Sequence, residues 1–148
     1  MFVSEIEFRV NIIDEVKNWE EALEKASYPL LEDGCINKNY IEEMKNNLSK
    51  ESYRFLVDHD IILAHSRPND DVKKNGLSFL KINKGVIFPN LENKNIKLIF
   101  VISALSVKHH MDWLQRFAKI MDDVKMVKEL ENATTKDEIV AIFKKKIY

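Results

Sequence analysis

Glycine and cysteine are both scarce in this sequence of 148 residues. Its glycines are Gly34, Gly76 and Gly85, which lie too far apart to form either of the glycine-rich loops that hold nucleotide phosphates. Cys35 is the single cysteine, so an internal disulfide is impossible and a reducing cytosol is the expected environment. If the protein handles phosphate, side chains or helix ends must therefore hold it.

The sequence also lacks an excess of either charge and any long apolar run. The formal net charge is -1, whereas binding to nucleic acid usually goes with a basic excess, so no nucleic-acid partner is expected. No segment approaches the roughly 18 apolar residues of a membrane span, and the first ten residues lack the apolar core of a signal peptide. Because 45% of the residues are hydrophobic, the chain can bury a core. We expect a soluble, cytoplasmic, single domain over residues 1–148.

Apolar patterns predict six strands. The segment EIEFRVNI alternates, which places Ile6, Phe8, Val10 and Ile12 on one face of a half-buried strand. Further strands are predicted for SYRFLV, IILA, GLSFLKI, GVIF and IKLIFVISAL. The last of these is apolar nearly throughout, which is typical of a central strand that is covered on both faces.

Helical spacing of apolar residues appears between these strands. It predicts helices over NWEEALEKASYPLL, from Asn37 to about Asn47, over KHHMDWLQRFAKIM, and after TKDE, where Thr135 and Glu138 have the spacing of a capping box. Because strands and helices mix along the chain, we expect an α/β fold. It would have a mixed β-sheet of about five strands with helices on both faces.

His65 ends the apolar strand IILA and is followed at once by Ser66, Arg67 and a proline. In open α/β sheets, ligands bind just past the carboxyl ends of strands, which makes His65 a candidate functional residue. The alternative is a histidine at a strand end whose ring bonds to the neighbouring backbone.

His110 lies in the first turn of the predicted helix that follows the strongest strand. It begins the core-facing stripe His110, Trp113, Leu114, Phe117 and Met121, whereas His109 lies to one side and is expected to be exposed. The positive end of the helix dipole disfavours protonation of this imidazole. The alternative is a half-buried histidine that only caps the helix.

His65 and His110 can share a crevice if their strands end at the same edge of the sheet. Arg67 would add a permanent cation with planar donors that suit phosphate oxygens. A neutral imidazole can act as the nucleophile, so the three residues favour a phosphohistidine charged by another protein. The rival is a zinc site in which Asp70 or Asp71 joins the two histidines, although no metal-binding spacing is present.

Several ordered blocks resemble enzyme IIA of the bacterial phosphoenolpyruvate-dependent sugar phosphotransferase system, in the mannitol/fructose superfamily and most closely the ascorbate type. The opening helix pair of that family resembles NWEEALEKASYPLLEDGCINKNYIEEM. Its active-site block is similar to IILAHSRPNDDVKKNGLSFLKI, its second-histidine helix to HMDWLQRFAKIM, and its closing segment to ELENATTKDEIVAIF. The resemblance covers nearly the whole chain.

The resemblance implies a phosphotransferase that needs no cofactor and no metal. His65 falls on the phosphorylated histidine, and His110 on the second histidine, which would hold the phosphoryl oxygens. Arg67 falls on an arginine of the same block, and its charge suits phosphate. Two positions depart from the family: Ala64 replaces the usual proline, which adds a backbone donor and relaxes the turn, and Ser66 replaces a common alanine or glycine.

The implied partners are proteins. His65 would accept phosphoryl from the histidine-containing phosphocarrier protein and pass it to a cysteine of enzyme IIB, with membrane enzyme IIC involved indirectly. The transported substrate would be a sugar or an ascorbate-like acid, and this component need not bind it. The alternative is a phosphorylation-sensing domain of a transcriptional regulator; the initial methionine and the lack of a DNA-binding segment favour the free carrier. A binding domain without phosphochemistry is the third interpretation.

Overall fold

The structure, a computed structural model, describes residues 9–147. Within that range, one sheet of five strands is flanked by α-helices. The elements in chain order are β1 (Val10–Ile13), α1 (Trp19–Glu32), α2 (Lys38–Glu51), β2 (Leu56–Val57), β3 (Ile61–Ala64), β4 (Gly76–Val86), β5 (Ile96–Ser103), α3 (Val107–Ile120), α4 (Val124–Asn132) and α5 (Lys136–Ile147). None of the helices in this range is both long enough and apolar enough to cross a membrane.

The sheet is mixed, with the strand order β1-β4-β5-β3-β2. β1 is parallel to β4 and β3 is parallel to β5, whereas β4 with β5 and β2 with β3 are antiparallel pairs. The predicted fold class is therefore confirmed, and β5 is the central strand, as its apolar sequence predicted.

Each face of the sheet carries its own hydrophobic core. Since successive side chains of a strand point to opposite faces, β5 contributes to both cores. Phe100 and Ile102 pack in the core beneath α3, α4 and α5, whereas Ile99 and Val101 pack in the core beneath α1 and α2. Because helices cover β5 on both faces, its sequence does not alternate between apolar and polar residues.

Polar caps set the starts of α2 and α3, which contribute to the site, and of α5. The Asn37 side chain accepts a hydrogen bond from the backbone N–H of Tyr40 at 3.2 Å and so begins α2. Ser106 Oγ accepts from the backbone N–H of His109 at 3.2 Å and begins α3. The predicted capping role of Thr135 is confirmed, because its Oγ accepts from the backbone N–H of Glu138 at 3.1 Å.

Four segments differ from the sequence prediction or lie outside the described residues. SYRFLV is mostly a short 3₁₀ helix, Ser52–Phe55, and only its last two residues form a strand. GLSFLKI and GVIF are not separate strands: β4 runs through to Val86, with a register irregularity between Lys81 and Val86. Helix α4 was not predicted. The positions Ile6 and Phe8 of the first predicted strand lie outside the described residues.

Candidate active site

The edge of the sheet where β3 and β5 end holds the candidate site. The two strands are parallel neighbours, with Ala64 paired to Val101, so the residues that follow them meet at one edge. His65 follows β3 directly, and His110 lies in the first turn of α3 after β5. Their ring centroids are 4.9 Å apart, with an interplanar angle of 61°. Phe55 contacts the His65 ring as well, with the two ring centroids 4.8 Å apart.

The His65 ring is held by the backbone of its own strand. Its Nδ1 lies 2.8 Å from the carbonyl oxygen of Leu63. Because a carbonyl oxygen only accepts hydrogen bonds, Nδ1 carries the proton in this contact. Burial lowers the pKa of His65 to about 4, with a smaller contribution from His110, so the ring is neutral near pH 7. The lone pair therefore resides on Nε2.

His110 is also half-buried, and burial lowers its pKa. Its buried Nδ1 has no hydrogen-bond partner among residues 9–147, which is uncommon for a polar atom inside a protein. His109 is exposed, as predicted, and its Nδ1 lies 3.0 Å from Ser106 Oγ. The adjacent histidines of α3 thus have different environments, and only His110 contacts the His65 ring.

A cleft of about 360 Å³ opens beside the two histidines. Its lining residues are Asn47, Glu51, Arg54, Phe55, His65, Ser66, Arg67 and His110. Arg67 is exposed and forms no ion pair within the described part of the chain, whereas Arg54 Nη1 binds Glu51 Oε2 at 3.0 Å. A neutral imidazole nucleophile next to a second imidazole and an available guanidinium suits the transfer of an anionic group.

The residues that α2 and the 3₁₀ helix contribute to the cleft were missed from the sequence. Asn47 and Arg54 are separated from His65 by β2 and its hairpin, and no local motif connects them with the histidine. The sequence predicts a strand for SYRFLV, which gives no reason to place the Arg54 side chain beside His65.

The rival zinc site does not form. Asp71 Oδ1 accepts a hydrogen bond from Asn37 Nδ2 at 2.8 Å, so its carboxylate belongs to the contact between the loop and α2. Among residues 9–147, no group of three histidine, cysteine, aspartate or glutamate side chains is arranged to hold a metal ion.

The chain belongs to the family of the phosphoenolpyruvate-dependent sugar phosphotransferase system, EIIA type 2, which matches residues 7–146. Enzyme IIA components are phosphotransferases, and this chain is a phosphotransferase of that class.

Relatives of both mannitol and ascorbate type are similar to the chain. It is 24% identical to the mannitol-specific cryptic phosphotransferase enzyme IIA component of Escherichia coli K12 over 136 residues, which is 92% of each chain. It is 19% identical to the ascorbate-specific EIIA component of the same organism over 127 residues, which covers 85% of this chain and 82% of the relative.

Solved structures show the same fold. The solution structure of the mannitol-specific cryptic enzyme IIA from Escherichia coli superimposes with a TM-score of 0.89 at 24% identity, over 98% of this chain and 99% of that one. The Escherichia coli mannitol enzyme IIA solved in complex with phosphorylated enzyme IIB gives a TM-score of 0.79 at 22% identity, over 94% and 95%.

Proposed function

We propose that the chain, acting as one domain over residues 1–148, carries a phosphoryl group on His65. It accepts the group from the histidine-containing phosphocarrier protein and passes it to a cysteine of enzyme IIB. The observation that carries the proposal is the hydrogen bond from His65 Nδ1 to Leu63, which assigns the lone pair of this neutral ring to Nε2.

In the proposed step, the Nε2 lone pair of His65 attacks the phosphorus of the phosphorylated donor imidazole. The Nε2–P bond forms while the donor N–P bond breaks, and the donor ring keeps that electron pair. The His65 ring becomes cationic, with its Nδ1–H still donated to the Leu63 carbonyl oxygen. A cationic ring is a good leaving group, which favours onward transfer to the cysteine thiolate of enzyme IIB.

His110 and Arg67 hold the phosphoryl oxygens in this proposal. His110 has a buried ring nitrogen without a partner in residues 9–147 and sits in the first turn of α3, where the helix dipole favours an anion. Arg67 supplies a fixed positive charge at the rim. Phosphoryl transfer depends mostly on such positioning and charge stabilisation, since the protein contributes little other covalent chemistry.

The family and one solved relative support the proposed partners. The mannitol enzyme IIA of Escherichia coli was solved with phosphorylated enzyme IIB, and we propose the corresponding acceptor for this chain. We place the reaction in the cytoplasm, coupled through membrane enzyme IIC to uptake of a sugar or an ascorbate-like acid. The rim of the cleft would make a transient interface of modest area with each partner.

Intact-mass measurement after incubation with phosphoenolpyruvate, enzyme I and the phosphocarrier tests this function. We expect one added phosphate per chain, which is lost in acid and survives in base. His65→Ala should abolish the added mass, and His110→Ala should still accept phosphoryl but donate it slowly to enzyme IIB.

His109→Ala is the matched control, because it removes an exposed histidine one residue from His110. It should keep both steps at the wild-type rate. Full labelling of the His65→Ala variant would overturn the site assignment.

A further inference from the structure

Ser66, the residue after His65, is held by three side chains of α2. Its backbone N–H donates to Tyr40 Oη at 2.9 Å, and its Oγ donates to Glu43 Oε2 at 2.6 Å. Asn47 Nδ2 lies 3.5 Å from the same Oγ. Tyr40, Glu43 and Asn47 are three and four residues apart, so they lie on one face of the helix.

Both ends of this network are fixed. Tyr40 is fully buried, and its hydroxyl donates to the Ile102 carbonyl oxygen of β5 at 2.8 Å. Glu43 Oε2 also accepts from Asn69 Nδ2 at 3.1 Å, so one carboxylate oxygen joins two positions of the loop that follows His65. The loop is therefore clamped between α2 and the central strand.

The clamp acts next to a His65 backbone that no preceding proline restricts. The residue before His65 is Ala64. A proline at this position would fix its own backbone φ angle, whereas alanine does not. The direction in which Nε2 points depends on the His65 backbone and on the contact between Nδ1 and Leu63. A loop that is free to shift at Ser66 would weaken both.

We propose that Glu43 is a positioning residue for phosphoryl transfer, which acts through Ser66 to hold His65 in the Nδ1–H form with Nε2 aimed for attack. This inference rests on the proposed function. Glu43 does not line the cleft, so its effect is on the orientation of His65 and not on the phosphoryl group itself.

Glu43→Ala and Glu43→Gln test the role of the carboxylate in single-turnover transfer from the phosphorylated phosphocarrier. Glu43→Ala should lower the maximal rate by about tenfold with little change in the half-saturating donor concentration, because displacements near 1 Å have effects of this order or larger. Glu43→Gln should stay within about twofold of wild type. Its amide oxygen can accept both hydrogen bonds that Oε2 now accepts.

A second readout does not involve phosphoryl chemistry. Nitrogen-15 NMR of the His65 ring should show the Nδ1–H tautomer in the wild type and in Glu43→Gln, and a mixture of tautomers in Glu43→Ala. A purely structural role of Glu43 would change the melting temperature without changing the tautomer. Glu42→Ala is the matched control, because the Glu42 side chain is 69% exposed and pairs with Lys45.

The outcomes separate the two proposals. A wild-type chain that takes no phosphoryl contradicts the proposed function, while the tautomer measurement still decides the role of Glu43. A wild-type rate and tautomer in Glu43→Ala would overturn the positioning role, as would a Glu43→Gln variant as slow as Glu43→Ala.

Ser66→Ala serves as a second variant if Glu43→Ala does not fold. It removes the same hydroxyl contact and should show the same slow rate and mixed tautomers. Wild-type behaviour of Ser66→Ala would overturn the proposal.

Discussion

Opposing effects act on the His65 imidazole. Burial disfavours its charged form and lowers the pKa, whereas the hydrogen bond to the Leu63 carbonyl favours the protonated ring and raises it. Burial is the larger effect, and His110 adds a smaller lowering, so the pKa falls to about 4. The ring is thus neutral throughout the physiological pH range, as the proposed nucleophilic role requires.

This lowered pKa predicts an acid-sensitive stability. Below about pH 6.5 the unfolded chain binds a proton on His65 that the folded chain excludes, so the free energy of unfolding falls as pH falls toward 4. From pH 7 to 4.5 the contribution of His65 should fall by up to about 2 kcal/mol. Urea unfolding at the two pH values measures it, and His65→Ala should show a correspondingly smaller loss. An identical loss in wild type and variant would contradict the lowered pKa.

A second prediction concerns the Tyr40 hydroxyl. Tyr40→Phe leaves the Ser66 N–H and the Ile102 carbonyl without the partner that they now share. Unsatisfied buried groups cost about 1–3 kcal/mol, so thermal or urea unfolding should show a loss in that range. Tyr53→Phe is the control, because Tyr53 is 58% exposed and its hydroxyl removal should change stability by less than about 0.5 kcal/mol. Equal losses of stability in Tyr40→Phe and Tyr53→Phe would contradict the clamp.

The sequence could indicate the two histidines but not the residues that hold them. His65 and His110 each follow an apolar strand, and the parallel pairing of β3 with β5 makes those two positions neighbours. Tyr40 and Glu43 have ordinary helical spacing, which carries no sign that they contact a loop more than 20 residues away. Only the packing of α2 against the sheet brings them there.

At the scale of elements, the first turn of α3 matters most to the proposed mechanism, because it carries His110. Its start depends on Ser106, whose side chain accepts a hydrogen bond from the His109 backbone. The side-chain oxygen of such a cap satisfies one of the backbone N–H groups that the helix leaves unpaired.

Ser106→Ala should therefore affect stability and transfer together. Loss of the cap should lower the free energy of unfolding by about 1 kcal/mol and slow donation of phosphoryl to enzyme IIB, because His110 lies in the turn that frays. Thr135→Ala is the matched control, since it removes the cap of α5 away from the cleft. It should lose similar stability and keep the wild-type transfer rate. Equal slowing in both variants would show that global stability causes the effect.

Element boundaries were less predictable where turn-forming residues lie inside regular structure. The sequence predicts separate strands for GLSFLKI and GVIF, yet β4 continues through Asn83 and Lys84 with an irregular register and with Gly85 at a φ of 73°. A glycine tolerates this backbone conformation, so the strand can bend without ending. The SYRFLV segment has strand-like composition, but its first four residues follow α2 directly and remain helical in 3₁₀ form.

At the scale of the whole molecule, the mixed sheet brings the candidate site residues together at one edge. β3 and β5 end there, and antiparallel β4 begins there, with Gly76 paired to Ser103. Two separate cores pack against the sheet from both sides, and the cleft lies at the edge of the sheet. The fold class was predictable because strand and helix patterns of apolar residues mix along most of the chain, and β5 has the nearly continuous apolar run of a central strand. The clamp on Ser66 could not be predicted from the sequence, because it depends on how α2 packs against the sheet.

The most direct test is to determine which atom carries phosphate in the phosphorylated protein. Correlation of phosphorus-31 with nitrogen-15 in protein labelled on its histidines identifies the bonded ring nitrogen. We predict a single phosphoryl group on Nε2 of His65, with Nδ1 still protonated and bonded to the Leu63 carbonyl. Phosphate on Nδ1 of His65, or on any other residue, would contradict the proposed mechanism.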